Sequence, residues 1–303
     1  MISASNLANT MTGQGEHEAA AVIHREALEV QRRTLGPEHP HTLNSANNLG
    51  VSLYELGEYE AAAALYRETL AVMNRVLGPD HPHALASATN LANALDSQGN
   101  YPAAAQMHRE TLAARRRVLG PEHPETLTSS NNLANALNAL GKHGDAAAIQ
   151  RENLALRRRV LGPEHPETLT SANNLGVSLY EMGRYAEAAA IYGQTRDEIR
   201  RVLGDEHPYA LIMATNLGES LNAQGRHGDA VALYRATLAT QRRVQGVLGV
   251  GLIPTNRSRG PPFRTDPRTC PFRTDYASVA VRAVVGSNVL LFYCLGRGDV
   301  LPG

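Results

Sequence analysis

The sequence predicts an all-α solenoid of about six stacked helix–turn–helix units, followed by an irregular, disordered C-terminal tail. Three observations carry that prediction. The stretch LGPEHP, or a close variant, begins at Leu35, Leu77, Leu119, Leu161 and Leu203, each step being 42 residues. One asparagine keeps the same interval: Asn6, Asn48, Asn90, Asn132, Asn174 and Asn216. Between these marks the apolar residues fall at helical spacing, as Leu43, Leu49 and Leu53 in one unit and Leu127, Leu133 and Leu137 in another. A period without insertion or deletion is the signature of a repeat array. The array is expected to fill residues 1–245, in units near 1–34, 35–76, 77–118, 119–160, 161–202 and 203–245, with 246–303 as the tail.

Each unit reads as two helices. LGP is a helix stop, because glycine supplies the left-handed conformation just past the end and proline cannot continue the helix. The next proline (Pro40, Pro82, Pro124, Pro166, Pro208) suits the first turn of the following helix, where its fixed φ is already correct. Glu125 and Glu167 then lie where a negative charge meets the positive helix end. This first helix closes at Gly15, Gly57, Gly99, Gly141, Gly183 or Gly225, and a second runs from there to the next LG. Small residues hold two sites of close approach, one at Ala8, Gly50, Ala92, Ala134, Gly176 and Gly218, the other at Ala20, Ala62, Ala104, Ala146, Ala188 and Ala230. A lone hairpin of this size cannot bury its apolar face, so the units must stack.

With a leucine before a small residue, a later glycine, an alanine five residues on and a tyrosine in three units (Tyr66, Tyr192, Tyr234), the pattern resembles the tetratricopeptide repeat. The 42-residue unit with its HP loop and NNLA helix is similar to the repeats of kinesin light chains. The resemblance covers residues 1 to about 245 and implies an α-solenoid whose first helices line a concave groove. Two departures qualify it. No heptad segment stands before the repeats, and the first helices (40–57, 82–99, 124–141, 166–183, 208–225) contain no Lys or Arg, although that family's groove holds acidic peptides with basic residues. A motor subunit is therefore not expected.

The candidate site is the first-helix stripe opposite the buried leucines. It carries Asn6, Asn47, Asn48, Tyr54, Asn90, Asn93, Asn131, Asn132, Asn135, Asn173, Asn174, Tyr180 and Asn216. Asparagine costs up to ~0.7 kcal/mol against alanine in a helix, yet its amide both donates and accepts, as a peptide backbone requires. Tyrosine adds amphipathic contact area. These residues are expected to grip a peptide or partner segment. Glu55, Asp96, Glu181 and Glu219 are the charges along the stripe, so a neutral or basic ligand is favoured over an acidic one. The alternative is that each asparagine bonds a backbone group in the neighbouring unit and so fastens the stack. RRRVLGPEHPETLTS stands unchanged at 115–129 and 157–171, which points to recent copying that carries every residue along. Diverged units are more informative: Asn90 follows Thr89 and Asn216 follows Thr215, which singles out the second asparagine of the pair.

Other classes are weighed by the same chemistry. The loop histidines His39, His81, His123, His165 and His207 lie one unit apart, roughly 10 Å, so one zinc with ligands at about 2 Å cannot gather them; packing or capping is expected. Arginines cluster at second-helix ends (Arg32 and Arg33, Arg75, Arg115 to Arg117, Arg157 to Arg159, Arg200 and Arg201, Arg242 and Arg243). As a ridge they could hold nucleic acid, but the helix-end dipole and acids of the following loops, such as Glu122 and Glu164, account for them better. No phosphate loop, nucleophile elbow or HExxH is present, so neither an enzyme nor a cofactor is expected. Formal net charge is zero, with 28 arginines and one lysine, Lys142. The N-terminus carries no secretory signal pattern, which makes the cytoplasm the expected location. In the tail PFRTD occurs twice, and the apolar stretch 277–296 is broken by Arg282 and Asn288, so no membrane span is expected. The leading reading is a non-catalytic scaffold; a regulatory or sensor arm of a larger multidomain protein, such as an NTPase, competes with it. Residue 1 aligns with residue 43, which suggests a fragment.

Overall fold

The computed structural model describes residues 2–247, 280–286 and 289–295. It divides into two compact units, Met1–Val160 and Leu161–Gly303. The first holds four helix pairs: α1 (Ile2–Gln14) with α2 (His17–Thr34), α3 (Pro40–Glu55) with α4 (Tyr59–Val76), α5 (Pro82–Ser97) with α6 (Tyr101–Val118), and α7 (Pro124–Ala139) with α8 (His143–Val160). The second holds α9 (Pro166–Glu181) with α10 (Tyr185–Leu203) and α11 (Pro208–Ala223) with α12 (His227–Val247). Within each unit every helix packs on the next in sequence, and first helices also touch one another, α1 on α3, α3 on α5 and α9 on α11. The leucines expected in the core are there: Leu43, Leu49, Leu53, Leu127, Leu133 and Leu137 are all buried. One apolar cluster runs from Ala21 and Leu28 through Leu49, Leu53 and Tyr66 to Leu95 and Ala104, so the core is shared across the first three repeats.

The two glycine stops differ. At Gly57, φ is 82°. Its N–H donates to the Tyr54 carbonyl, and that of Glu58 donates to the Leu53 carbonyl, both at 2.9 Å. This is the Schellman arrangement, and Asn100, Lys142, Arg184 and Arg226 repeat the longer bond to Leu95, Leu137, Leu179 and Leu221. Gly204 instead has φ 88° and ψ 167°, an extended conformation essentially reserved for glycine. The left-handed helical stop expected at the LG sites therefore does not hold at Gly204. The reason is directional, because the chain must run out into the loop before His207 turns it into the next helix.

That entry is built from the HP pair. Proline at the first helical position has no N–H to leave unsatisfied. The histidine before it accepts the next orphan donor: His39 Nδ1 takes the N–H of His41 at 3.2 Å. His81, His123, His165 and His207 do the same for His83, Glu125, Glu167 and Tyr209. The loop histidines are helix caps.

Close approach of the two helices in a pair is set by one coupled site. A Cβ placed on Gly50 would lie 2.5 Å from Cε1 of Tyr66, and Gly176 and Gly218 meet Tyr192 and Tyr234 in the same way. Where the other repeats have Ala8, Ala92 and Ala134, the facing residue sixteen positions on is His24, His108 or Gln150. Glycine with tyrosine, or alanine with a smaller polar ring or amide, fills the same space.

Beyond α12, β1 (Ala280–Gly286) and β2 (Val289–Leu295) pair antiparallel, with Ala280 opposite Leu295 and Gly286 opposite Val289. The apolar stretch 277–296 thus supplies two strands, and among the described residues no helix is long and apolar enough to cross a membrane. The rest of the expected tail, 248–279, 287–288 and 296–303, lies outside the described residues.

Candidate functional site

The asparagine stripe lies on the first helices, and contact between neighbouring ones follows a fixed register. Asn90 Nδ2 donates to Asn47 Oδ1 at 3.3 Å. In the second unit Asn216 Nδ2 donates to Asn173 Oδ1 at 2.7 Å. The step is 43 residues in both cases, so the second asparagine of one repeat reaches the first asparagine of the repeat before it. The same step joins the Tyr54 hydroxyl to Ser97 Oγ at 3.0 Å. Fastening between repeats is therefore one task of these amides, performed side chain to side chain rather than through the backbone.

Burial divides the stripe. Asn173, Asn174 and Asn216 are 5%, 1% and 8% exposed, too enclosed to meet a ligand in this conformation. Asn6 is exposed, while Asn47, Asn48, Asn90, Asn93, Asn131, Asn132, Asn135, Tyr54 and Tyr180 are partly exposed. Asn131 and Asn135 have partners of their own. Of the stripe residues named above, Asn48, Asn93 and Asn132 are the partly exposed amides with no such engagement. An amide has four hydrogen-bonding positions, so even the bonded Asn47 and Asn90 keep capacity in reserve. The uniform ladder expected along the stripe is replaced by an open stretch on α3, α5 and α7 and a closed one on α9 and α11. The cause is packing: Asn173, Asn174 and Asn216 are enclosed, and Asn216 bonds Asn173 between the two helices.

The arginine ridge is largely neutralised. Arg75 meets Glu38 at 2.7 Å, and Arg117, Arg159 and Arg243 meet Asp80, Glu122 and Glu206. Each of these acids lies 37 residues earlier, in the loop that opens the same repeat, whereas Arg200 pairs with Asp205 in the loop that follows, as the sequence suggested. Arg32 and Arg116 pair with Glu68 and Glu152 on the next second helix. Arg115 and Arg157 leave the ridge altogether, being 5% and 3% exposed. The Arg115 guanidinium donates to Ser129 Oγ at 2.6 Å and faces the Glu125 carboxylate at 3.3 Å. A buried cation needs such partners, and a run of three arginines gives no sequence signal that its first member turns inward.

The matching of family models decides the relationship. The model described as tetratricopeptide repeat matches residues 1–75, 47–117, 106–152, 125–197 and 173–243. The chain belongs to the tetratricopeptide repeat family. Its repeats superpose on the nearly identical TPR-like repeats of a Podosopora anserina protein assigned as a kinesin light chain, at 28% identity and TM-score 0.65, over 69% of this chain and 98% of that one. BtubC (BKLC) from P. vanneervenii shares the fold at 21% identity and TM-score 0.64, over 82% of this chain and 99% of that one. RapI in its apo form also shares it, at 12% identity and TM-score 0.55, over 80% and 83%. No curated protein matches the sequence. This tetratricopeptide repeat protein is thus of the kinesin-light-chain-like kind in its repeats.

Proposed function

We propose that the chain is a non-catalytic scaffold that binds an extended peptide or partner segment along its first helices, and that it prefers neutral or basic segments to acidic ones. The family and its structural neighbours support the broad reading of a protein-interaction scaffold. The observation that carries the finer one is the group of partly exposed, uncommitted amides of Asn48, Asn93 and Asn132, on helices without a single Lys or Arg. Such amides can pair with the N–H and C=O of a strand-like ligand, and Tyr54 beside them offers a face for a side chain. A basic groove suited to acidic peptides is what these helices lack.

The test is capture from a peptide display library by the full chain. Asn48→Ala, Asn93→Ala and Asn132→Ala combined should abolish enrichment while leaving the circular dichroism spectrum unchanged. Asn47→Ala with Asn90→Ala should lower thermal stability and change capture less. Equal capture by the wild type and a folded triple variant would remove the groove reading.

A further inference from the structure

The second unit contains one constellation that the repeat does not reproduce. Tyr180 lies near the end of α9, and Tyr185, which opens α10, packs on it edge to face with ring centroids 5.0 Å apart. Glu219 lies on α11 and Tyr234 on α12. The ring of Tyr234 rests on the backbone of Gly218, where a Cβ would come within 2.5 Å of Cε1, so only glycine there lets the tyrosine lie beside Glu219. A 39-residue step relates neighbours across this unit: Gln224 Nε2 donates to the Tyr185 carbonyl at 3.1 Å, and Thr170 Oγ1 meets the Tyr209 hydroxyl at 3.3 Å. The same step leads from Tyr180 to Glu219.

Glu219 is partly buried, and among the described residues it has neither a hydrogen-bond partner nor an ion-pair partner. Its counterparts one to five repeats back are Val177, Asn135, Asn93, Val51 and Asn9. No other repeat places a carboxylate there. Loss of solvent raises the Glu219 carboxyl above its usual range. Tyr234 is pushed up to about 12, first by burial and then by the charge of Glu219 and by Tyr180. Tyr180 is raised by burial, then by Glu219 and Tyr185. The three groups therefore feel one another, and among the described residues no basic group offsets them.

We infer that Tyr180, Glu219 and Tyr234 form a cation site that takes an arginine side chain of the bound peptide. A partly desolvated carboxylate without a counter-ion is an unfavourable arrangement until a cation joins it. Guanidinium suits this place better than ammonium, because it can fork onto the carboxylate while its plane lies on a tyrosine face. The inference rests on the scaffold reading and names the residue such a peptide must carry. In the first unit the matching positions, Tyr54 with Asn93, give the neutral version of the same corner.

The probe is a labelled nonapeptide of glycine and serine with two arginines, compared with the same peptide carrying citrulline, by fluorescence anisotropy against the full chain. The arginine peptide should bind about tenfold or more tightly than its isostere. Glu219→Gln should bring that ratio to about one, whereas Glu181→Gln, on the exposed neighbour, should leave it in place. Glu219→Asn, which copies the residue of the third and fourth repeats, serves if the glutamine variant does not fold. A wild-type ratio near one, no binding of either peptide, or a preference that survives in both folded Glu219 variants would overturn the cation site. The groove reading would then still stand or fall on the display experiment with the α3, α5 and α7 asparagines.

Discussion

At the scale of single residues, the structure turns a loose resemblance into a set of paired requirements. Gly50 is needed because Tyr66 occupies the volume its side chain would take. Gly50→Ala should therefore cost about 1–3 kcal/mol, as overpacking does. Combining it with Tyr66→His reproduces the pairs Ala8 with His24 and Ala92 with His108. The double variant should be more stable than Gly50→Ala alone, with a coupling of about 1 kcal/mol or more. Urea unfolding of the four proteins would measure it, and simple additivity would show that the two sites are independent. The sequence displayed both columns, Gly or Ala at one and Tyr, His or Gln at the other. Their coupling was not legible, because sixteen residues of helix and turn separate positions that only the folded hairpin brings together.

At the scale of elements, the same residue has different worth in different repeats. Leu112 on α6 is buried at 5% exposure, covered by α7, while its equivalent Leu238 on α12 is 46% exposed. Val231 is likewise exposed where Ala21, Ala63, Ala105 and Ala147 are buried. Leu112→Ala should cost about 2–5 kcal/mol through lost burial and a cavity, whereas Leu238→Ala should stay within about 0.5 kcal/mol. Thermal unfolding of the two variants would check this, and an equal loss at both would mean that something covers the face of α12 in solution. Helix boundaries were largely legible: proline marked the starts and glycine the ends. What the sequence could not separate was two kinds of glycine stop, since Gly57 and Gly204 differ in hydrogen bonding rather than in residue type.

For the whole molecule, acid should be the weak side. His108 is held down to about 4, first by burial and then by the Arg115 charge. His24 and His207 are lowered by burial, and His207 can cap α11 only while its Nδ1 is unprotonated. With folded-state values below the unfolded value of 6.5, the unfolded chain binds more protons between them. Stability is then fully present above about pH 6.5 and falls as pH drops toward 4, with His108 alone contributing on the order of 3 kcal/mol. Melting temperatures across that range should fall steadily, and His108→Gln, which copies Gln150, should flatten the curve; an unchanged slope would exonerate this histidine. The sequence by itself determined the fold class, the period, the helix order and the buried leucines, because all of these follow from local spacing and turn chemistry repeated every 42 residues. Only the tertiary structure decided which asparagines are sealed, which arginines turn inward and which carboxylate stands without a cation. Those properties depend on which side chain a neighbouring repeat brings into contact, and a strict period copies residues without copying their surroundings.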